Sequence, residues 1–212
     1  MGKMLLIRHG ESLANRAGIY QGQSVDTSLS PLGKRQARLV ALRLKDEKVA
    51  CVFTSPSKRT QETARIVLGD GGGMIIRDRR LLEINHGHWE GKSREVVRLT
   101  WHRLLEIWKN DPHKAQMPGG ENLQDAAQRA SCFVRDLESS YGNKTVIVVS
   151  HDVIIRVLIC RVIGLPLSRL WSLELDNCSL SVFSFSGQPR VLTLNDTSHL
   201  GKFRSRVDRQ AL

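Results

Sequence analysis

The residues able to do chemistry fall in four short segments. Arg8-His9-Gly10-Glu11 follows directly on the apolar run Met4-Leu5-Leu6-Ile7. A guanidinium beside an imidazole disfavours the imidazolium, so Arg8 tends to keep His9 neutral with a free nitrogen lone pair. Such a nitrogen can attack an anion that the arginine holds, and a phosphoryl group suits arginine's planar donor fork. Ser150-His151 closes a second apolar run, residues 145–149. Ser55-Pro56-Ser57-Lys58-Arg59-Thr60 puts Arg59 in the first turn of a helix, where backbone N–H groups also favour anions. Glu83-Ile84-Asn85-His86-Gly87-His88 offers a carboxyl group in a loop rich in glycine and histidine. Singly, each has a plainer reading: His9 a strand-end histidine, Arg59 an exposed helix arginine, Glu83 a solvated loop acid, His151 a core histidine.

The elements that must carry these segments are legible. Residues 3–7, 50–54, 74–76 and 145–149 read as strands; the last is continuously apolar and β-branched, as a strand buried on both faces would be. Ser30-Pro31 reads as an N-cap followed by proline at the first helical position, with Ala37, Val40, Ala41 and Leu44 at helical spacing. Further helices are expected over about 58–68, 94–109, 124–141 and 153–163, the last apolar almost all round and so central. Residues 69–73 are a glycine-rich loop signal, and 180–185 with 191–194 read as a closing hairpin or edge pair. Strands alternating with helices predict an α/β fold: a three-layer α/β/α sandwich with a mostly parallel central sheet and helices on both faces. Ligands in such sheets sit at the carboxyl ends of the strands, and His9, Arg59 and His151 all lie at such ends.

Arg8-His9-Gly10-Glu11 with Asn15, Ser55-Pro56 with Arg59-Thr60 and Glu62-Thr63, Glu83, and Ser150-His151 together resemble the histidine phosphatase (phosphoglycerate mutase-like) superfamily. The match spans nearly the whole chain, and four motifs in the right order are far more specific than any one. Within that superfamily the chain is most similar to the metal-independent phosphoserine phosphatases, through Glu83-Ile84-Asn85-His86-Gly87 with Trp89, Pro112-His113-Lys114 before Gly119-Gly120-Glu121, Trp171, Asp176-Asn177 and Ser198-His199-Leu200-Gly201. The resemblance implies that His9 is a nucleophile forming a phosphohistidine, with Arg8, Arg59 and His151 holding the phosphate, His151 helping most when the phosphate charge favours its protonation. It implies that Glu83 is the proton donor, which requires its pKa to rise towards neutrality. Asn15, Gln21 and Gly22 fall where the family's loop contacts the phosphate. His86 is expected to contact a substrate carboxylate, helped by the segment around His199-Leu200.

Glu83 is followed at once by a short Gly-His-Trp-Glu-Gly turn, where the mutases of the superfamily carry a longer basic insertion; water access, and therefore hydrolysis, is expected. Phosphoserine is the favoured substrate, with α-ribazole phosphate, sugar phosphates or mutase chemistry as alternatives, and a binding module without turnover ranks well below these. No cofactor is called for. His86 and His88 with His9 and His151 could suggest a metal, but the arginines would repel a cation, so no metal site is expected.

The chain has 212 residues, 41% hydrophobic and 25% charged, which fits one globular domain over 1–212 and argues against disorder. No apolar run approaches a bilayer span and the start has no secretory pattern, so a cytoplasmic location is expected. Cys51, Cys132, Cys160 and Cys178 form no zinc-like spacing and read as buried thiols. The net charge is +11, scattered except for a basic tail from about 202; with aromatics at 5%, it reads as a solvated surface that steers an anionic substrate, and it argues against nucleic acid and membrane as partners. An exposed strand near 180–194 could pair two copies as a homodimer.

Overall fold

A computed structural model describes residues 2–69, 73–184 and 189–211. In chain order the elements are β1 (Lys3–Arg8), α1 (Leu13–Ala17), α2 (Pro31–Arg43), β2 (Cys51–Thr54), α3 (Lys58–Leu68), β3 (Ile75–Arg77), α4 (Arg94–Thr100), α5 (His102–Asn110), α6 (Leu123–Tyr141), β4 (Thr145–Ser150), α7 (Asp152–Ile163), β5 (Leu180–Ser184) and β6 (Arg190–Asp196). The strands form one six-stranded sheet in the order β3-β2-β4-β1-β5-β6. β3, β2, β4 and β1 run parallel; β5 is antiparallel to β1, and β6 to β5.

Because side chains alternate across a strand, each central strand feeds two cores. Met4, Leu6, Val146 and Val148 face the layer of α5, α6 and α7, where Trp108, Phe133 and Leu158 are fully enclosed. Leu5, Ile7, Ile147 and Val149 face α2 and α3, against Ala37, Val40, Ala64 and Val67. The expected three layers are therefore observed, and β1 and β4 are buried on both faces.

Several details depart from the sequence expectation. The helix expected over 94–109 is two: Trp101 leaves helical geometry at φ −126°, ψ 38°, so α4 ends at Thr100 and α5 begins at His102. Val96, Val97 and Thr100 are β-branched and weaken the first half, and the break still lets Trp101 and Trp108 both pack on the core. A short helix, α1, stands where none was expected; Ser12 caps it, accepting from the Asn15 N–H while the Asn15 side chain bonds back to Ser12. Cys132 is only half-buried, unlike the other three cysteines. The centre of the 69–73 loop (residues 70–72) and Phe185 of the expected strand lie outside the described residues. The basic tail is not simply a solvated arm: Lys202, Arg204 and Arg206 are exposed, but Gln210 and Ala211 are buried. β6 is an edge of the sheet, with Val191, Leu192 and Leu194 exposed. Among the described residues no helix is long and apolar enough to cross a membrane.

Candidate active site

The register of β1 and β4 builds the centre. Arg8 pairs with Ser150, so the next residue of each strand, His9 and His151, leaves the same sheet edge side by side. Their rings lie 5.3 Å apart in an edge-to-face arrangement. The His9 N–H donates to Ser150 O (3.0 Å), and His9 O accepts from Asn177 Nδ2 (3.0 Å). The turn after His9 passes so close to α2 that a Cβ on Gly10 would sit 2.5 Å from the Gly33 carbonyl oxygen, and one on Gly33 2.1 Å from the Glu11 carbonyl oxygen. Two glycines are what allow that approach.

Around this edge a narrow cavity of about 20 Å³ is lined by Arg8, His9, Asn15, Gln21, Arg59, Glu83, His86, Asp152, Val153 and Ala211. His9 Nδ1 lies 2.7 Å from Gly10 O. A carbonyl only accepts, so Nδ1 carries the hydrogen, and Nε2 of the neutral ring is a bare lone pair. Burial foremost, then Arg59, then Arg8, holds the His9 imidazole well below its usual range. The sequence expectation of a neutral His9 stands, but Arg8 is the least of the three causes.

Each arginine is fixed by its outer nitrogens. Arg8 donates from Nη1 to Leu175 O (2.7 Å) and from Nη2 to Gln210 Oε1 (2.6 Å), and Nη1 lies 3.2 Å from Asp152 Oδ1. Arg59 donates to Asp26 Oδ1 and Gly22 O, both at 3.0 Å. Among the described residues, the enclosed nitrogens with no protein partner include Arg8 Nε, Arg59 Nε and His86 Nε2 on the cavity and His151 Nδ1 beside His9; Trp89, Trp108, His113 and His199 carry others elsewhere. Buried polar groups are ordinarily satisfied, so the two arginine Nε donors on this cavity mark where ligand oxygens belong. The first-turn N–H of α3, expected to favour the anion directly, is instead met by Asp26, which accepts from Lys58 N.

At His151, burial, then Arg59, His9, Arg129 and Arg8, pushes the pKa well below the usual range, so the ring is neutral in the free protein. Its Nε2 lies 2.9 Å from Ser55 Oγ, which also bonds Ser57 Oγ at 3.2 Å, and its Nδ1 has no protein partner. His86 departs from expectation. Its Nδ1 faces Gln21 O at 3.1 Å and therefore donates, and burial lowers its pKa to about 4. It offers the cavity a lone pair rather than a positive charge, which suits a donor such as an ammonium or hydroxyl and not the expected carboxylate.

Glu83 shows the required shift. Burial first and the Asp152 charge second raise its pKa to about 7, against the pull of the Ile84 N–H, Arg59 and the Val153 N–H. Its oxygens accept from Ile84 N (2.9 Å) and Val153 N (3.4 Å). Arg129 anchors the loop from α6 by donating to the carbonyls of Arg80, Leu82 and Glu83. Glu90 ties it to the 20s loop, accepting from the N–H groups of Gln23, Ser24 and His86.

Asn15 and Gln21 line the cavity as expected, although Asn15 Oδ1 is taken up by Ser12 and Gln21 Nε2 donates to Ser12 Oγ (2.8 Å). Gly22 does not line it; a Cβ there would meet Glu90, and its carbonyl only steadies Arg59. His199 and Leu200 are also elsewhere, His199 against Cys178 O and Leu200 in the second core. The C-terminal contribution is instead Gln210, bonded to Arg8 and Asn177, with Ala211 beside it. Gln210 and Ala211 carry no local sequence signal. Asp152 does: it follows His151 directly and stands one helical turn before Arg156.

Comparison with known proteins agrees with this arrangement. Residues 4–197 match the histidine phosphatase superfamily (branch 1). The chain is 39% identical over 204 residues to phosphoserine phosphatase 1 of Hydrogenobacter thermophilus, covering 96% of each. Among solved structures it resembles YhfR of Bacillus stearothermophilus (TM-score 0.90, 31% identity, 94% of this chain and 100% of that one). It also resembles the α-ribazole phosphatase of Shigella flexneri (TM-score 0.83, 30% identity, 92% and 96%). Fold, motif order and similarity along almost the whole chain agree: this protein belongs to the histidine phosphatase superfamily and is a phosphatase of that family.

Proposed function

We propose that the protein hydrolyses a small phosphomonoester through a phosphohistidine on His9, with phosphoserine as the preferred substrate. The observation that carries this reading is the bare Nε2 of His9 on the same cavity as the enclosed, unpartnered Nε atoms of Arg8 and Arg59. Arg8 Nε, Arg59 Nε and His151 take the equatorial oxygens, where charge sits in the transition state. The His9 Nε2 lone pair forms the P–N bond as the ester P–O bond breaks, and the Glu83 proton passes to the leaving oxygen. Water then attacks phosphorus, its proton goes to Glu83, the P–N bond breaks and inorganic phosphate leaves. A carboxyl with a pKa of about 7 can serve both half-reactions near neutrality. No step needs a metal, and the arginines disfavour a cation, so activity in excess chelator is expected to equal that without it.

Phosphoserine is supported by two things: the 39% identity to a chain named phosphoserine phosphatase, and the His86 lone pair, which can accept from the substrate's ammonium group. The test is a phosphomonoester panel on wild type and on His9→Ala. The expected result is the highest kcat/KM for phosphoserine over α-ribazole phosphate and sugar phosphates, and a loss of more than about 10³-fold in His9→Ala. Interconversion of phosphoglycerates without net phosphate release would contradict the hydrolase reading, and equal rates across the panel would contradict the substrate.

A further inference from the structure

Three charged side chains stand in a buried row behind the cavity. Asp152, in the first turn of α7, grips Arg156 one turn later with Oδ2 to Nε at 2.9 Å and Oδ1 to Nη2 at 3.2 Å. On its other side Oδ1 lies 3.2 Å from Arg8 Nη1. All three side chains are at most 5% exposed. The far end of the row is also fixed: the Arg156 guanidinium sits 4.9 Å from the centre of the Trp171 ring, and Trp171 Nε1 donates to Trp108 O at 2.6 Å. Buried ion pairs are weak stabilisers, because desolvation offsets their attraction. This row is better explained by what it does for the site.

We propose that Asp152 is a positioning residue for the phosphoryl-transfer centre: it fixes the plane of Arg8 from α7 and holds a negative charge beside the Glu83 carboxyl, with Arg156 as its counter-ion. The proposal rests on the phosphohistidine reading above. Arg8 Nη1 and Nη2 are committed to Leu175, Asp152 and Gln210, so the guanidinium cannot rotate and its free Nε points where those bonds leave it. Asp152 and Glu83 line one cavity, and the N–H of Val153, the next residue, reaches Glu83.

Glu83 is faced by charges from four elements, Arg129 on α6 among them, bonding its carbonyl at 3.1 Å. Arg59 on α3 and Arg8 on β1 favour its carboxylate form, and Asp152 on α7 opposes it. Among those charges only Asp152 keeps the proton on Glu83. Arg156 and Arg8 in turn hold Asp152 ionised, against the effect of its burial.

The experiment is the pH profile of kcat/KM for Asp152→Asn, with Asp152→Ser as a smaller neutral replacement should the first not fold. The alkaline limb set by Glu83 is expected to move about one pH unit to the acid side, and kcat at the optimum to fall about tenfold as Arg8 loosens. Asp152→Glu, which restores the charge, should return the limb towards its wild-type position. A folded neutral variant whose limb stays at the wild-type pH, whatever its rate, overturns the proposal. Failure of the underlying reading looks different: wild type itself would then form no phosphohistidine at His9, and its limb would survive in Glu83→Gln.

Discussion

At the level of single residues, function turns on protonation. His9 is neutral because it is buried between two arginines, so it needs no base to free its lone pair and contributes no acid limb near neutrality. Glu83 must hold its proton for the first step. The predicted kcat/KM therefore declines as pH rises through about 7, the Glu83 value, and Glu83→Gln lowers the rate about 10²–10⁴-fold and removes that decline. Rate profiles of the two proteins with an alkyl phosphate, whose alkoxide is a poor leaving group, check this, and an unchanged limb in Glu83→Gln would count against Glu83 as the acid. Arg59→Ala should cost about 10²–10³-fold in kcat, more than its effect on KM, because its free Nε is aimed at charge that develops in the transition state. The placement of His9, Arg59, Glu83 and His151 at strand, helix and loop ends was legible in the sequence, while their roles came from the family resemblance rather than from residue type. Their protonation was less so, since burial depends on neighbours far along the chain. Hence burial holds His151 and His86 neutral in the free protein, which residue type alone did not show.

At the scale of elements, strands buried on both faces were the clearest signal, because an unbroken apolar β-branched run has few other fates. That His9 and His151 lie at carboxyl ends of strands was expected; the pairing of β1 with β4, whose register brings the two together, is what the structure adds. Less legible was whatever depended on one position leaving regular geometry, such as the break at Trp101, or on distant segments, such as Gln210 reaching Arg8. The Gly10–Gly33 crossing gives a test at this scale. Gly33→Ala places a methyl 2.1 Å from the Glu11 carbonyl oxygen, so backbone must shift. A loss of about 1–3 kcal/mol in denaturant unfolding is expected, together with reduced kcat, because the displaced loop carries His9. Full activity with unchanged stability would show that the crossing does not hold the nucleophile.

For the whole molecule, the +11 net charge and the buried neutral histidines make opposite demands on solution conditions. The positive surface should draw in an anionic substrate, so kcat/KM is expected to fall with added salt while kcat stays level; a salt-independent kcat/KM would leave the charge without a role in capture. The histidines set acid stability. His9, His86 and His151 have folded pKa values below their unfolded value of about 6.5. The unfolded chain therefore binds more protons below that pH, and the contribution of these groups is present above it and lost as pH falls towards their folded values. Glu83 has the opposite sign: its raised pKa costs stability as pH rises from its unfolded value through about 7. A thermal midpoint that drops between about pH 6.5 and pH 5, and drops less in His86→Gln, is the expected outcome of a melting series.

The most direct measurement is trapping. Wild type and Glu83→Gln are mixed with phosphate-labelled phosphoserine, quenched in alkali within one turnover and digested for mass spectrometry. An acid-labile phosphoryl group on His9, absent from His9→Ala, is the expected result. Label on another residue, or turnover with no labelled enzyme at any time, would contradict it.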